Sequence, residues 1–414
     1  MARPVRAGNV IGPEPRVSDP AGSGLVLAAA LAFYATGCIL LVTTGPTLGS
    51  LHAFAAFIVL AIVAALNQLL PVLTHAPVAP GSYVLWVAAA FALGFVLLIA
   101  GFYGAPTFAP ASIVLGAAAL AWVGWSITRL AAGKEELRTR SLMFCALLAF
   151  AAAAGLGVSM AGTFARLWVA PVATLAPLHA VVIILGFASL LILAISYRFV
   201  PMFAVAHGTA YGRYRIQWVA VVGAGAAAEF LNSLLLFRLS LALLFATSAT
   251  IGWSHLRTLA MRLRTRLDVS LRYAYVGWSF GMLALILAFA ATWDRTFAVP
   301  AVVLAVLGWI STTILGYAYK VAGFLAWQTA KDRDPAAQLP ALSIAVNLPL
   351  AYGGLALLAG GVVFSSGLWL FDRPHVQLGY DLYASGGLCA LVALVRLPAI
   401  YLWKTDSHGT AHTA

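Results

Sequence analysis

His52 and His179 are the residues of this chain best suited to chemistry. Each follows a Leu near the start of an apolar run, His52 in the run 50–73 and His179 in the run 174–203. Neutral imidazole is the commonest metal ligand and a usual axial ligand of haem iron. The runs are the second and sixth of the sequence, so both should cross a membrane in the same direction and hold their rings at similar depth. Such a pair can bind a b-type haem or hold separate metals. The alternative is an interfacial histidine with one ring nitrogen bonded and the other in water. The other six histidines are weaker candidates. His75 and His207 fall at the inner ends of the same two runs, and His255 near the inner end of the eighth. His375 falls in an outer loop, and His408 and His412 in the C-terminal tail.

Polar groups inside a membrane are costly and often functional. Glu229 is the only carboxylate read as deep within a run, and Asn232 follows one turn later. A proton-relay or substrate role fits the pair, and so does a hydrogen-bonded carboxyl near the outer interface. Asn67, Gln68 and Asn347 read as groups that join helices or satisfy backbone freed by proline. Arg198 and Lys320 read as snorkelling bases. The three cysteines, Cys38, Cys145 and Cys389, sit in different runs and have neither disulfide nor metal-ligand spacing. No Walker loop, nucleophile elbow or HExxH motif is present.

The elements that must carry these groups follow from composition. Of 414 residues, 63% are hydrophobic and 9% charged, whereas a soluble domain has about 45–50% and about 25%. That excludes a soluble enzyme, a disordered chain and a coiled coil. Twelve apolar runs are long enough to cross a bilayer: 23–45, 50–73, 83–103, 108–130, 141–164, 174–203, 216–236, 239–258, 270–292, 298–327, 341–366 and 379–403. With the N-terminus cytoplasmic, only Arg166, Arg238, Arg295 and Arg373 of the 24 Lys and Arg fall in outer connections. Arg396 lies in the last run and nineteen lie inside. The net charge of +12 is therefore read as positive-inside bias and not as a nucleic-acid surface. Residues 1–22 lack the apolar core of a signal peptide. They and residues 404–414 are expected as cytoplasmic tails around one membrane domain, 23–403.

The chain also resembles itself. LGFASLLILAISYRFVPMF from Leu185 aligns without gaps on LGWISTTILGYAYKVAGFL from Leu307, at an offset of 122. Pro71 matches Pro201 at an offset of 130, and GWSITRL from Gly124 matches GWSHLRTL from Gly252 at 128. The expected fold is an all-α polytopic membrane protein of about twelve helices. They form three pseudo-symmetric four-helix units, about 23–140, 141–268 and 269–403, with both termini cytoplasmic. Function in such repeats commonly lies at their interfaces.

The motifs LHAVVIILGF…YRFVPMF, from Leu178, and LGWISTTILGYAYK resemble bacterial membrane proteins that are distant relatives of subunit I of the haem–copper oxidases. The resemblance covers about residues 23–403. It implies three four-helix arcs, with His52 in the place of the second-span ligand of the low-spin haem. His179 is on the helix that supplies a copper ligand, but nearer its outer end. The seventh run lacks the expected His pair. The tenth has no His, and Ala301 stands where the repeat would place a partner of His179. Neither a copper centre nor a complete terminal oxidase is therefore expected. The leading expectation is a protein of the bacterial inner membrane binding b-type haem through His52, His179 or both. It would serve electron transfer or gas or redox sensing, with the lipid bilayer around it and a redox protein or quinol as partner. The rival readings are a small-molecule or ion transporter using Glu229, and a non-catalytic scaffold in a respiratory or maturation complex.

Overall fold

In hydrocarbon each backbone N–H and C=O must be satisfied within the protein, so apolar runs of about 20 residues cross as helices. The computed structural model describes residues 20–74, 80–133, 137–206, 212–263, 265–335, 338–340, 345–371 and 373–409. Among them there is no strand. They form twelve long helices: α1 (Pro20–Thr44), α2 (Leu48–Thr74), α3 (Gly81–Phe102), α4 (Phe108–Ala132), α5 (Leu137–Phe164), α6 (Val172–Ala204), α7 (Gly212–Phe230), α8 (Leu234–Ala260), α9 (Val269–Ala290), α10 (Arg295–Arg333), α11 (Leu348–Phe371) and α12 (Val376–Gly409). Eleven are long and apolar enough to cross a membrane. The exception is α7, whose described apolar stretch is Ile216–Phe230. This is a multi-pass membrane protein.

Several helix ends differ from the apolar runs. Within the run expected at 341–366, whose first four residues lie outside the described ones, the long helix is Leu348–Phe371. Asn347 caps it, its Oδ1 accepting the Leu350 N–H at 3.1 Å. The first helix begins at Pro20, inside the expected tail, and α12 continues to Gly409, beyond the expected boundary at 403. Hydropathy marks where apolar residues stop, whereas a helix already nucleated extends through polar ones. α10 opens with one 3₁₀ turn, Arg295–Phe297. Asp294 caps it by accepting the Thr296 N–H at 2.9 Å, which holds the exposed carboxyl below its usual range.

Burial separates three helices from the rest. The most apolar stretch of α2 is 83% buried, that of α10 78% and that of α6 56%, against 33–44% in the other eight spanning helices. The second, sixth and tenth helices therefore form the interior. Two of them share an irregularity. Val182–Ser189 in α6 and Leu304–Ser311 in α10 are π-helical, and these eight-residue segments touch one another. Their spacing in sequence is 122 residues. A π segment adds a residue to the turn and frees carbonyls for other donors. Ser189 Oγ donates to Ile184 O at 2.5 Å, and Thr312 Oγ1 to Leu307 O at 3.0 Å.

Around this interior, α1 packs on α2, α10 and α12, and α5 packs on α4 and α6. Asn67 and Gln68 donate to Ser23 Oγ at 2.9 and 2.7 Å, joining α2 to α1 as their sequence position suggests. Polar bonds also bring connections together. Thr44 and Thr47, beside the α1–α2 turn, bond the Tyr103 hydroxyl after α3 at 3.0 and 3.3 Å. The Leu263 N–H, between α8 and α9, donates to Val205 O after α6 at 3.1 Å. Lys320 is more than a snorkelling base: its Nζ is 2.6 Å from Asp268 Oδ2.

Candidate functional site

His52 occupies the first turns of α2, at the end of the bundle marked by the α1–α2 turn. Its Nδ1 is 2.7 Å from Leu48 O, one turn back on the same helix. A carbonyl oxygen only accepts, so Nδ1 carries the proton and the lone pair of the neutral ring is on Nε2. Phe102, the last residue of α3, packs on the imidazole with ring centroids 4.9 Å apart. That contact braces the ring from α3.

His179 sits in α6, three residues before the π segment. Its Nδ1 is 2.9 Å from Ala153 O on α5, which again leaves the lone pair on Nε2. The absence of a side chain at Gly157 opens the adjoining face of α5. A Cβ there would lie 3.4 Å from His179 Cε1. The imidazoles of His52 and His179 lie within electrostatic reach of each other, and both are half-buried. The two rings thus have the same protonation pattern. An outer-shell acceptor on one nitrogen and a free lone pair on the other is the arrangement seen in ligating histidines.

The partners of this pair were not legible in the sequence. Leu48 and Ala153 contribute only carbonyls, which any residue carries. Gly157 and Phe102 leave a faint trace, a glycine inside an apolar run and an aromatic residue at a helix end. Among the described residues, the other histidines lie elsewhere. His255 is buried and packs against Trp278, with centroids 5.3 Å apart. His375 lies exposed in the turn before α12. His75, His207 and His412 lie outside the described residues, and so does the side chain of His408. Among the described residues no three His, Cys, Asp or Glu side chains converge to hold a metal ion.

Glu229 and Asn232 take a different place from the one expected. The run 216–236 is not one helix: α7 ends at Phe230 and α8 begins at Leu234. Asn232 adopts a left-handed backbone, φ 54°. Its N–H donates to Glu229 O at 3.1 Å, and the Ser233 N–H to Ala228 O at 2.8 Å. These bonds close the end of α7 in the manner of a left-handed cap. Glu229 is half-buried in the last helical turn, and Asn232 is exposed. The apolar residues Leu231 and Leu234–Leu236 flank the turn and disguise it as part of a span.

A separate cavity of about 50 Å³ lies between α1, α2, α6 and α10, and neither histidine borders it. Compared with known proteins, the chain matches no family model and no curated protein.

Proposed function

We propose that the chain is a bacterial inner-membrane protein, built as three four-helix units around a common axis with both termini cytoplasmic. In this reading His52 and His179 hold a b-type haem that serves electron transfer or gas or redox sensing. A redox protein or quinol is the partner. The architecture is supported by the burial of every fourth helix and by π segments set at the sequence-repeat spacing.

One observation carries the cofactor: two imidazoles, each with Nδ1–H tied to a carbonyl and Nε2 left with its lone pair. That donor set fits haem iron. When bound, the haem would supply one-electron exchange or a gas-binding iron. The chain's own part is narrower. Leu48 O and Ala153 O keep the rings in the ligating tautomer and raise their basicity. Phe102 braces one ring and excludes water from its face. The cavity of about 50 Å³ between α1, α2, α6 and α10 is too small for a macrocycle and has no histidine in its wall. No dioxygen-reducing step is assigned, because α7 and α10 contain no histidine. The rival transporter reading would use Glu229, which stands in the last turn of α7.

The test is an absorption spectrum of the full chain after haem-replete expression, beside His52→Ala and His179→Ala. A Soret band in the wild type that weakens at least tenfold in both variants is expected. Absence of the band from the folded wild type would overturn the proposal.

A further inference from the structure

The cavity between α1, α2, α6 and α10 has a regular wall. Ile62, Ile192 and Ile314 form one tier, and Ala65, Ile195 and Tyr317 the next. Leu69, Phe199 and Val321 form the third. Within each tier the steps are 130 and 122 residues, the offsets of the Pro71/Pro201 and Leu185/Leu307 matches. Along each helix the tiers are three and then four residues apart, which is one face. The three inner helices therefore turn the same face to a shared axis and leave it unfilled. In α6 and α10 that face begins just after the π segments, which end at Ser189 and Ser311.

We propose that this cavity binds a small apolar molecule, of the class of a dissolved diatomic gas. The site is independent of the histidine pair. Three features select the ligand. The wall is almost wholly aliphatic and aromatic, and its one hydroxyl, on Tyr317, is bonded to Ser196 Oγ at 2.6 Å. A buried water needs two to four polar partners, so this space does not hold one well. Its volume of about 50 Å³ is about a third of the roughly 150 Å³ apolar cavity that accepts benzene. An acyl chain or a quinone ring is therefore too large, and two or three heavy atoms or a single noble-gas atom fit. Third, the cavity is reachable. Ala65, Leu69 and Val321 are half-buried, whereas Ile62, Ile192 and Ile314 are buried. Leu69 and Val321, in the third tier, lie on the side of the Pro71 and Pro201 ends of α2 and α6. A void lowers stability in proportion to its volume, and here three helices maintain it with matched residues.

Xenon is the probe. The full chain in lipid nanodiscs, with isoleucine methyls labelled, is titrated with xenon pressure and followed by NMR. The methyls of Ile62, Ile192, Ile195 and Ile314 should shift and saturate. Ile113, 69% exposed on the outside of α4, should shift linearly, as lipid-dissolved xenon requires. Ala65→Leu and Ala318→Leu fill the cavity and should weaken saturable binding at least tenfold with helix content unchanged. Ile192→Ala enlarges the cavity and should admit benzene, which the wild type excludes. Linear shifts at all four cavity methyls of the wild type would overturn the site. So would unchanged xenon affinity in a folded filling variant, or equal benzene binding by Ile192→Ala and wild type.

Discussion

Lys320 Nζ and Asp268 Oδ2 are 2.6 Å apart, joining the middle of α10 to the residue that starts α9. Asp268 does two things at once. Its Oδ1 accepts the Ser270 N–H at 3.1 Å, capping α9, while Oδ2 meets the ammonium. Phe203 of α6 covers the charge, its ring centroid 5.5 Å from Nζ. Both charged side chains are largely shielded, at 19% and 10% exposure, so removing one partner costs more than breaking a surface bridge.

Removing the charge and removing the cap should therefore separate. Asp268→Asn keeps a capping oxygen and loses the ion pair, which should cost about 2 kcal/mol. Asp268→Ala loses both and should cost about 1 kcal/mol more. Lys320→Met combined with Asp268→Asn should recover much of the first loss, because no unpaired charge is then left in a shielded place. Unfolding midpoints in one detergent measure all three. Equal stability of Asp268→Asn and wild type would make the bridge energetically silent.

Adjacent glycines of α11 should respond in opposite ways to the same substitution. Gly361 faces α12 so closely that a Cβ would fall 2.6 Å from Tyr383 Cα. Backbone cannot rotate away as a side chain can, so Gly361→Ala must push the helices apart, at about 3 kcal/mol. Gly360 has nothing within 4 Å of the same position. There alanine meets no neighbour and restricts the unfolded chain, so Gly360→Ala should stabilise by about 0.5–1 kcal/mol. Parallel unfolding curves check the pair, and like-signed effects would contradict the packing described.

Much of this architecture was legible in the sequence for a simple reason. A membrane helix must be apolar along its length, so hydropathy finds it directly. The offsets of 122 and 130, found from Leu-Gly, Tyr-basic and Pro matches, also locate the three tiers of the axial cavity. Other features had no local signal. The π segments at Val182–Ser189 and Leu304–Ser311 lie within ordinary apolar sequence. Lys320 looked like a lone base because its partner is 52 residues earlier, in a connection. The histidine pair was found by type and depth, whereas its tautomer rests on two carbonyl contacts that no side chain advertises. Glu229 and Asn232 were misplaced because leucines on both sides carried the apolar run across a turn.

That turn yields the last prediction. A left-handed backbone costs most L-residues about 1–2 kcal/mol, and Asn and Gly bear it best. Asn232→Gly should therefore leave stability within a few tenths of a kcal/mol. A branched residue in the same place, Asn232→Val, should cost about 2 kcal/mol. Glu229 stands in the final turn of α7, where the helix dipole disfavours a negative charge. Glu229→Gln should accordingly stabilise by about 0.3–1 kcal/mol, less at high salt. A proton relay predicts a different pattern: Asn232→Gly would disable it as fully as Asn232→Val, and Glu229→Gln would abolish proton uptake by reconstituted vesicles. Unfolding midpoints and vesicle pH recordings on the same three variants distinguish a helix stop from a proton path.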